Sequence, residues 1–168
     1  WTVRGPGSPT TNSLVRAIAW DASGALWLAG TDRGDVGFIE STAWVRRLDL
    51  RGAPLWRHTV DVADAEDDFR GIAADGSGEA FAVGRSNRGL LTERLDASGN
   101  VLWSGPAPDP RLDPYFAEDV VVAFPGSWEL VGGSFGLGFV FIARYSSTGG
   151  RQETGGLSTR FCDSSAAT

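Results

Sequence analysis

The chain contains very few of the residues that carry most protein chemistry. Among its 168 residues there is one cysteine and one histidine, and there is no methionine. The single thiol, Cys162, excludes an internal disulfide and a metal site built from several thiolates, so we interpret it as unpaired, with an intermolecular disulfide as the alternative. The single imidazole, His58, is the only base available for a Ser–His–acid triad, and we interpret it as an ordinary, partly exposed strand residue. No nucleotide-binding loop, nucleophile elbow or zinc-protease motif is present.

Basic residues and long apolar runs are also scarce. All 15 basic residues are arginine, against 21 acidic residues, and the formal net charge is −6. This balance argues against nucleic acid or an anionic membrane as the partner, because either would select a basic face. No apolar run approaches the length of a membrane span, and no secretion signal is visible, so we expect no membrane insertion. Since no initiating methionine is present, we expect an internal piece of a longer protein.

Glycine is abundant, with 23 residues, and it recurs together with aspartate in short turns. The segments Asp75–Gly78 and Asp96–Gly99 separate short apolar runs between residues 71 and 103. In such a turn the aspartate accepts from backbone N–H groups further along, and the closing glycine takes the left-handed conformation of a hairpin. The segment therefore predicts four consecutive antiparallel strands.

This four-strand unit recurs along the chain. The turn that begins at Asp75 has counterparts that begin 54 residues earlier, at Asp21, and 48 residues later, at Ala123. A period of about 40 to 55 residues with four strands is typical of a propeller blade. We therefore predict an all-β fold, a β-propeller-type array of about three four-stranded antiparallel blades, and we expect it to be a fragment of a larger propeller.

The repeat also predicts the boundaries of the units. Residues 14–60, 69–104 and 118–154 form the three blades, residues 1–4 form the last strand of a preceding blade, and residues 155–168 form a disordered tail or the start of another blade. The third unit departs from the pattern, because Ala123 and Ser146 replace turn aspartates and Glu153 replaces the tryptophan. Its fourth strand, over residues 151–154, is therefore left open.

We predict structural roles for the recurring turn and core positions. Trp1, Trp56 and Trp103 recur at the same place in the unit and are expected to pack between blades. Trp20, Trp27, Trp44 and Trp128 do not recur, and core packing is favoured for them over a role as exposed ligand contacts. The predicted structural positions are Asp21, Gly24, Asp49, Gly52, Trp56, Asp75, Gly78, Asp96, Gly99 and Trp103.

These positions resemble the SBBP-type β-propeller repeats of bacterial surface and secreted proteins. The resemblance is carried by Ile18, Asp21, Gly24, Gly30, Arg47, Leu48, Asp49, Gly52 and Trp56, and again by Ile72, Asp75, Gly78, Gly84, Arg94, Leu95, Asp96, Gly99 and Trp103. It covers the chain to about residue 154. It implies an extracellular or cell-surface location and a role in adhesion, scaffolding or recognition.

The segment Asp61–Asp68 contains five carboxylates and is the one candidate cation site. Oxygen ligands at close spacing suit calcium, and Asp61, Asp64, Asp67 and Asp68 are the candidate ligands. The spacing does not match an EF-hand loop, which also needs a glycine at its sixth position. We therefore favour a solvated acidic loop and expect no cofactor, with calcium as the alternative.

The segment Gly105–Tyr115 contains four prolines in eleven residues, which predicts a stiff, extended loop. A stiff loop loses little entropy on contact, so Arg111, Asp113 and Tyr115 are the candidate contacts for a protein or a glycan. We expect a non-catalytic binding or scaffold module, with self-association or further blades completing the array. The alternative is a carbohydrate-active hydrolase or lyase that uses a carboxylate pair from Asp64–Asp68 and Asp109–Glu118 in a propeller funnel.

Overall fold

The computed structural model describes residues 12–33, 41–61, 66–86, 89–104, 115–124, 127–134, 140–146 and 151–157. The described residues form twelve β-strands. They contain no helix, and so none long and apolar enough to cross a membrane. The predicted orphan strand at residues 1–4 lies outside the described residues, as does Cys162.

The strands form three antiparallel four-stranded sheets in which neighbours along the chain are neighbours in the sheet. Blade 1 consists of β1 (Asn12–Trp20), β2 (Leu26–Arg33), β3 (Ser41–Leu48) and β4 (Pro54–Val60). Blade 2 consists of β5 (Asp68–Ala74), β6 (Ala80–Ser86), β7 (Gly89–Leu95) and β8 (Val101–Ser104). Blade 3 consists of β9 (Tyr115–Phe124), β10 (Ser127–Ser134), β11 (Val140–Ser146) and β12 (Arg151–Leu157). The predicted all-β array of propeller-type blades is confirmed.

Two apolar cores hold the three blades in a row. Alternation along each strand sends every second side chain to the face that meets the neighbouring blade. The first core joins blade 1 to blade 2, and its largest members are Trp27, Val45, Phe69, Ile72, Leu91 and Leu95. The second core joins blade 2 to blade 3, and its largest members are Phe81, Val83, Trp128, Leu130, Phe141 and Tyr145. Contacts of β5 with β1 and with β9 bring the first strands of the blades together along the inner edge of the array.

The two outer faces of the array expose apolar side chains. In β1, Ala17 and Ala19 pack against the first core, so Ile18 and Trp20 point to the opposite face of blade 1. Trp20 is 58% exposed there, and the prediction of core packing is wrong for this residue, because no described strand covers that face. The prediction is confirmed for Trp27, Trp44 and Trp128, which are buried. On the outer face of blade 3, the exposed apolar residues are Val121, Val131 and Ile142.

The fourth strand of blade 3 forms although it lacks the turn aspartate and the tryptophan of the repeat. It pairs with β11 from Tyr145↔Arg151 to Val140↔Leu157. Residues 155–157, which were assigned to the tail, therefore lie in the sheet. Backbone pairing with β11 needs no particular side chain, which explains why loss of the motif does not remove the strand.

The alternating strand directions separate two kinds of connection. The β1–β2, β3–β4, β5–β6 and β7–β8 turns all lie at one end of the strands, which we call the turn end. The connections from β2 to β3, from β4 to β5 and from β8 to β9 leave and re-enter at the opposite end, which we call the connection end. The recurring Asp–Gly segments belong to the turn end, and the segments that differ between units belong to the connection end.

Candidate functional site

The four repeat aspartates at the turn end use their carboxylates to close their own turns. In Asp21, Asp49, Asp75 and Asp96, Oδ1 accepts the backbone N–H groups of the residues two and four positions on, at 2.8–3.2 Å. The glycine three positions on has a φ between 80° and 87°, the left-handed region that glycine favours. The same geometry in four turns accounts for the conserved spacing within this chain and leaves these oxygens to structure.

Asp21 differs from the other three because it also fixes the inside of blade 1. Its Oδ2 accepts from Trp27 Nε1 at 2.9 Å and from Arg47 Nη2 at 2.7 Å. Burial alone would raise the pKa of Asp21, but hydrogen bonds from Ser23, Trp27 and Arg47 outweigh it and hold the pKa well below its usual range. The carboxylate is therefore a buried anion with a full set of donors.

Two motif residues of blade 1 contact the turn end of blade 2. Arg47 Nη1 and Trp56 Nε1 both donate to the carbonyl oxygen of Ala97, at 2.9 and 2.8 Å. The Trp56 ring lies so close to Gly99 that a Cβ there would approach it to 2.8 Å. In the second interface, Trp103 stacks on Phe81 with centroids 5.7 Å apart and meets Tyr145 at 5.4 Å. Both repeat tryptophans thus lie between blades.

His58 lies at the interface of blades 1 and 2, where its Nε2 is 2.7 Å from Glu93 Oε2. The Glu93 carboxylate is buried, and the imidazole is mostly buried. The spacing in sequence gave no sign of this pair, because the two residues lie 35 positions apart on different blades.

The acidic segment before β5 is only partly a surface feature. Asp61 is exposed, Asp67 and Asp68 are buried, and Asp64 lies outside the described residues. Asp67 N–H donates to the Ser41 carbonyl, and the Asp67 carbonyl accepts from Thr31 Oγ1 and Ser41 Oγ. The interpretation as a solvated loop is therefore wrong for Asp67 and Asp68, which blade 1 holds in place. Within the described ranges, no three metal-ligating side chains gather into a group.

The candidate contacts of the proline-rich segment fall mostly outside the described part of the chain. Arg111 and Asp113 lie there, and Tyr115 is the first residue of β9. The segment connects β8 to β9, which places it at the connection end. The structure neither joins these three side chains to another group nor separates them.

A set of charged residues that the motif did not include lies on the inner strands. The pairing register of β1, β5 and β9 with the second strand of each blade skips Arg16, Arg70 and Glu118, respectively. These β-bulges recur with the same spacings of 54 and 48 residues that relate the turns. A bulge re-aims the side chain of the extra residue, and here each extra residue carries a charge. The common spacing was the sequence signal that could have revealed them.

Together with Asp68, the first residue of β5, the bulge residues form a line of alternating charges, the inner-strand charge cluster: Arg16, Asp68, Arg70 and Glu118. Arg16 Nε and Arg70 Nε lie 3.5 Å from Asp68 Oδ1 and Oδ2, respectively, and Arg70 Nη1 is paired with Glu118 Oε1. The Arg70 guanidinium also lies 5.5 Å from the centre of the Phe116 ring. The cluster links all three blades, since its members belong to β1, β5 and β9.

The hydrogen bonds of this cluster are incomplete. The Asp68 side chain is only 4% exposed, yet neither of its carboxylate oxygens accepts a hydrogen bond from the described residues. Arg70 Nε also donates none. Buried polar groups normally have partners, because leaving one unmade costs about 1–3 kcal/mol, and more when the group is charged. The cluster is therefore the place in the described chain where buried charge and unused hydrogen-bonding capacity coincide.

Repeat glycines make the bulges possible. Gly30, Gly84 and Gly132 lie opposite the bulged strands, and a Cβ at each would come within 1.9–2.1 Å of a backbone carbonyl oxygen of the inner strand. For Gly84 this carbonyl belongs to Asp68. The glycine that recurs nine residues after each turn start is thus required by close backbone approach.

Comparison with known proteins finds no family model and no curated sequence that matches this chain. Solved structures do match. A protein of unknown function from Bacteroides caccae superposes with a TM-score of 0.51 at 11% identity, covering 85% of this chain and 46% of the other. Hydrazine synthase from Kuenenia stuttgartiensis gives 0.56 at 11% identity, covering 93% and 53%. A protein from Lactobacillus plantarum gives 0.52 at 15% identity, covering 86% and 41%.

At these identities the likeness concerns the fold alone. The chain spans about half the length of the solved structures it matches. Fold and comparisons together define a β-propeller-type array of three blades that is not closed into a barrel.

Proposed function

We propose that this chain is a non-catalytic binding or scaffold module of a bacterial surface or secreted protein, built from SBBP-type β-propeller repeats, and that it recognises a protein or a glycan. The resemblance of the motif residues supports the family and the extracellular location. The contacts of those residues support a structural role for the motif itself, because the turn aspartates, Arg47 and the repeat tryptophans all bind within or between blades.

One observation carries the proposal: the array separates constant from variable segments by the end of the blades. The four matching turns lie at the turn end, whereas the connections around residues 34–40, 61–67 and 105–114 differ in length and composition and meet the connection end. In repeat folds, loops that vary between units gather on one face and commonly form the recognition surface. Recognition is therefore assigned to the connection end, with Arg111, Asp113 and Tyr115 as contacts.

The outer faces support a second element of the proposal, which is assembly. Ile18 and Trp20 on blade 1 and Val121, Val131 and Ile142 on blade 3 are exposed apolar residues on faces that a further blade would cover. Self-association or further blades of a longer chain would bury them. Light scattering on the chain in solution tests this part separately.

The binding proposal is tested with a glycan array and a pull-down from bacterial culture supernatant. The variants are the double substitution Arg111→Ala/Tyr115→Ala and, as a matched control at the turn end, Arg51→Ala. We expect a retained glycan or protein with the wild type and the control, and loss of retention with the double variant. Equal retention by all three proteins would move recognition away from this loop.

The enzyme alternative makes a different prediction for the same protein. If the chain turned over a polysaccharide, and a single acidic substitution abolished the turnover without unfolding the chain, the non-catalytic proposal would be wrong. Product release is measured as new reducing ends from a panel of polysaccharides.

A further inference from the structure

We propose that the inner-strand charge cluster, Arg16, Asp68, Arg70 and Glu118, binds neighbouring hydroxyl groups of an uncharged saccharide. This inference rests on the proposed function, because it names a ligand class and a place for it that the loop residues do not supply. It moves the contact from the proline-rich loop to the inner edge of the blades.

The first argument is the unused hydrogen-bonding capacity. Both oxygens of the buried Asp68 carboxylate and the Nε of Arg70 have no hydrogen-bond partner among the described residues. The two guanidinium groups stand at 3.5 Å from Asp68, close enough to hold its charge but without hydrogen bonds between the groups. A ligand that enters between them can donate to the carboxylate and accept from a guanidinium at once.

The second argument is the balance of charge, which selects the class of ligand. Two arginines and two carboxylates give the cluster a formal charge of zero. An anion such as phosphate would meet Asp68 and Glu118, and a cation would meet both arginines, so either would lose as much as it gains. A hydroxyl group is both donor and acceptor, and a saccharide presents hydroxyl groups side by side. Alternating acceptors and donors along the cluster therefore match a row of sugar hydroxyls.

The third argument is access. Asp68 is the first residue of β5 and thus lies toward the connection end. The side chains beside it are reachable from solvent: Arg16 is 38% exposed, Arg70 22% and Glu118 51%. The bulges aim these three side chains away from the sheets, and the guanidinium of Arg70 is further positioned over the Phe116 ring. The cluster is thus a buried carboxylate flanked by partly exposed, positioned groups.

The test is affinity electrophoresis of the full chain in gels that contain dextran, a β-glucan or a mannan as uncharged probes and polygalacturonate as the charged probe. The variants are Arg16→Gln and Asp68→Asn, which keep size while removing charge. Arg57→Gln is the matched control, because Arg57 pairs with Asp32 in blade 1, away from the cluster. We expect at least one uncharged polysaccharide to retard the wild type and the control. In both cluster variants the dissociation constant should rise on the order of tenfold, the equivalent of one charged hydrogen bond.

Circular dichroism identifies a variant that has not folded. If Asp68→Asn is such a variant, the more exposed Arg16→Gln decides the result. Equal retardation of wild type and cluster variants would overturn the cluster assignment while leaving the binding module in place. Retardation by polygalacturonate alone, or competition by inorganic phosphate, would overturn it in favour of an anion site. Absence of retardation by every uncharged probe overturns this inference, whereas the loop experiment above decides the proposed function independently.

Discussion

Trp56 of blade 1 donates a 2.8 Å hydrogen bond from Nε1 to the carbonyl oxygen of Ala97 in blade 2. The indole thereby reads the backbone of the neighbouring turn, and its ring covers Gly99 in the same turn. Arg47 donates to the same oxygen, so one carbonyl receives two donors from the adjacent blade. This arrangement explains why the tryptophan recurs at a fixed distance from the turn: it joins one unit to the next.

The first prediction separates the two roles of this indole. Trp56→Phe retains an aromatic ring but removes the donor, and Ala97 O keeps its bond from Arg47, so the free energy of unfolding should fall by about 1 kcal/mol. Trp56→Ala removes the ring from Gly99 and from Trp27, whose centroid lies 5.1 Å away, and should cost about 3 kcal/mol. Urea unfolding followed by fluorescence measures both values. Equal losses for the two variants would show that the ring contributes nothing beyond its N–H group.

The second prediction concerns the glycine opposite the bulge. Gly84→Ala places a Cβ 1.9 Å from the Asp68 carbonyl oxygen, and since that contact is with backbone, the inner strand must move. We expect a loss of at least about 2 kcal/mol in the free energy of unfolding.

Gly76→Ala is the matched control, because a Cβ there has nothing within 4 Å. It should change stability by less than about 0.5 kcal/mol. Denaturant midpoints of the two variants decide the matter. A Gly84→Ala protein as stable as the control would mean that the bulge is not held as closely as the structure shows.

The sequence predicts the strands and turns well because their signals are local. Asp75 and Gly78 lie three residues apart and their geometry follows from backbone chemistry alone. The bulge residues Arg16 and Arg70 gave no such signal, since a bulge depends on how two strands pair and not on the residue that is skipped. The burial of Asp68 was likewise hidden, because the partners that cover it come from another blade.

The exposure of Trp20 shows the same limit from the opposite side. Its alternation with the buried Ala19 is visible in the sequence, but whether its face is covered depends on what packs against blade 1. Local patterns fix which side chains share a face. They do not decide which face meets a neighbour.

The third prediction concerns the turn aspartates. In Asp75→Asn the remaining side-chain oxygen still accepts from the backbone N–H groups of Ser77 and Glu79, so the loss should stay below about 0.5 kcal/mol. In Asp75→Ala both groups lose their acceptor, and the loss should be about 1 kcal/mol, as for other side-chain caps. Thermal and urea unfolding give the ranking. If Asp75→Ala left stability unchanged and instead removed calcium binding, this aspartate would be a metal ligand.

The fourth prediction uses the pKa of Asp21. Because hydrogen bonds from Ser23, Trp27 and Arg47 outweigh burial and depress this pKa in the folded chain, the charged form is stabilised by folding. A depressed pKa contributes stability that is fully present above the unfolded value, near 4, and is lost as the pH falls further toward the folded value. The difference in free energy of unfolding between wild type and Asp21→Asn should therefore be largest at neutral pH and should shrink below about pH 4.

The measurement is a pair of urea unfolding curves for each protein, at pH 7 and at about pH 3. Asp61→Asn, which changes an exposed carboxylate at the end of β4, controls for the change in net charge. A second variant, Arg47→Gln, removes the cationic donor while leaving the carboxylate, and it should lose part of the same pH-dependent stability because Asp21 then keeps only neutral donors. If the stability difference for Asp21→Asn stayed constant from pH 7 to pH 3, Asp21 would contribute through its hydrogen-bonded shape and not through its charge.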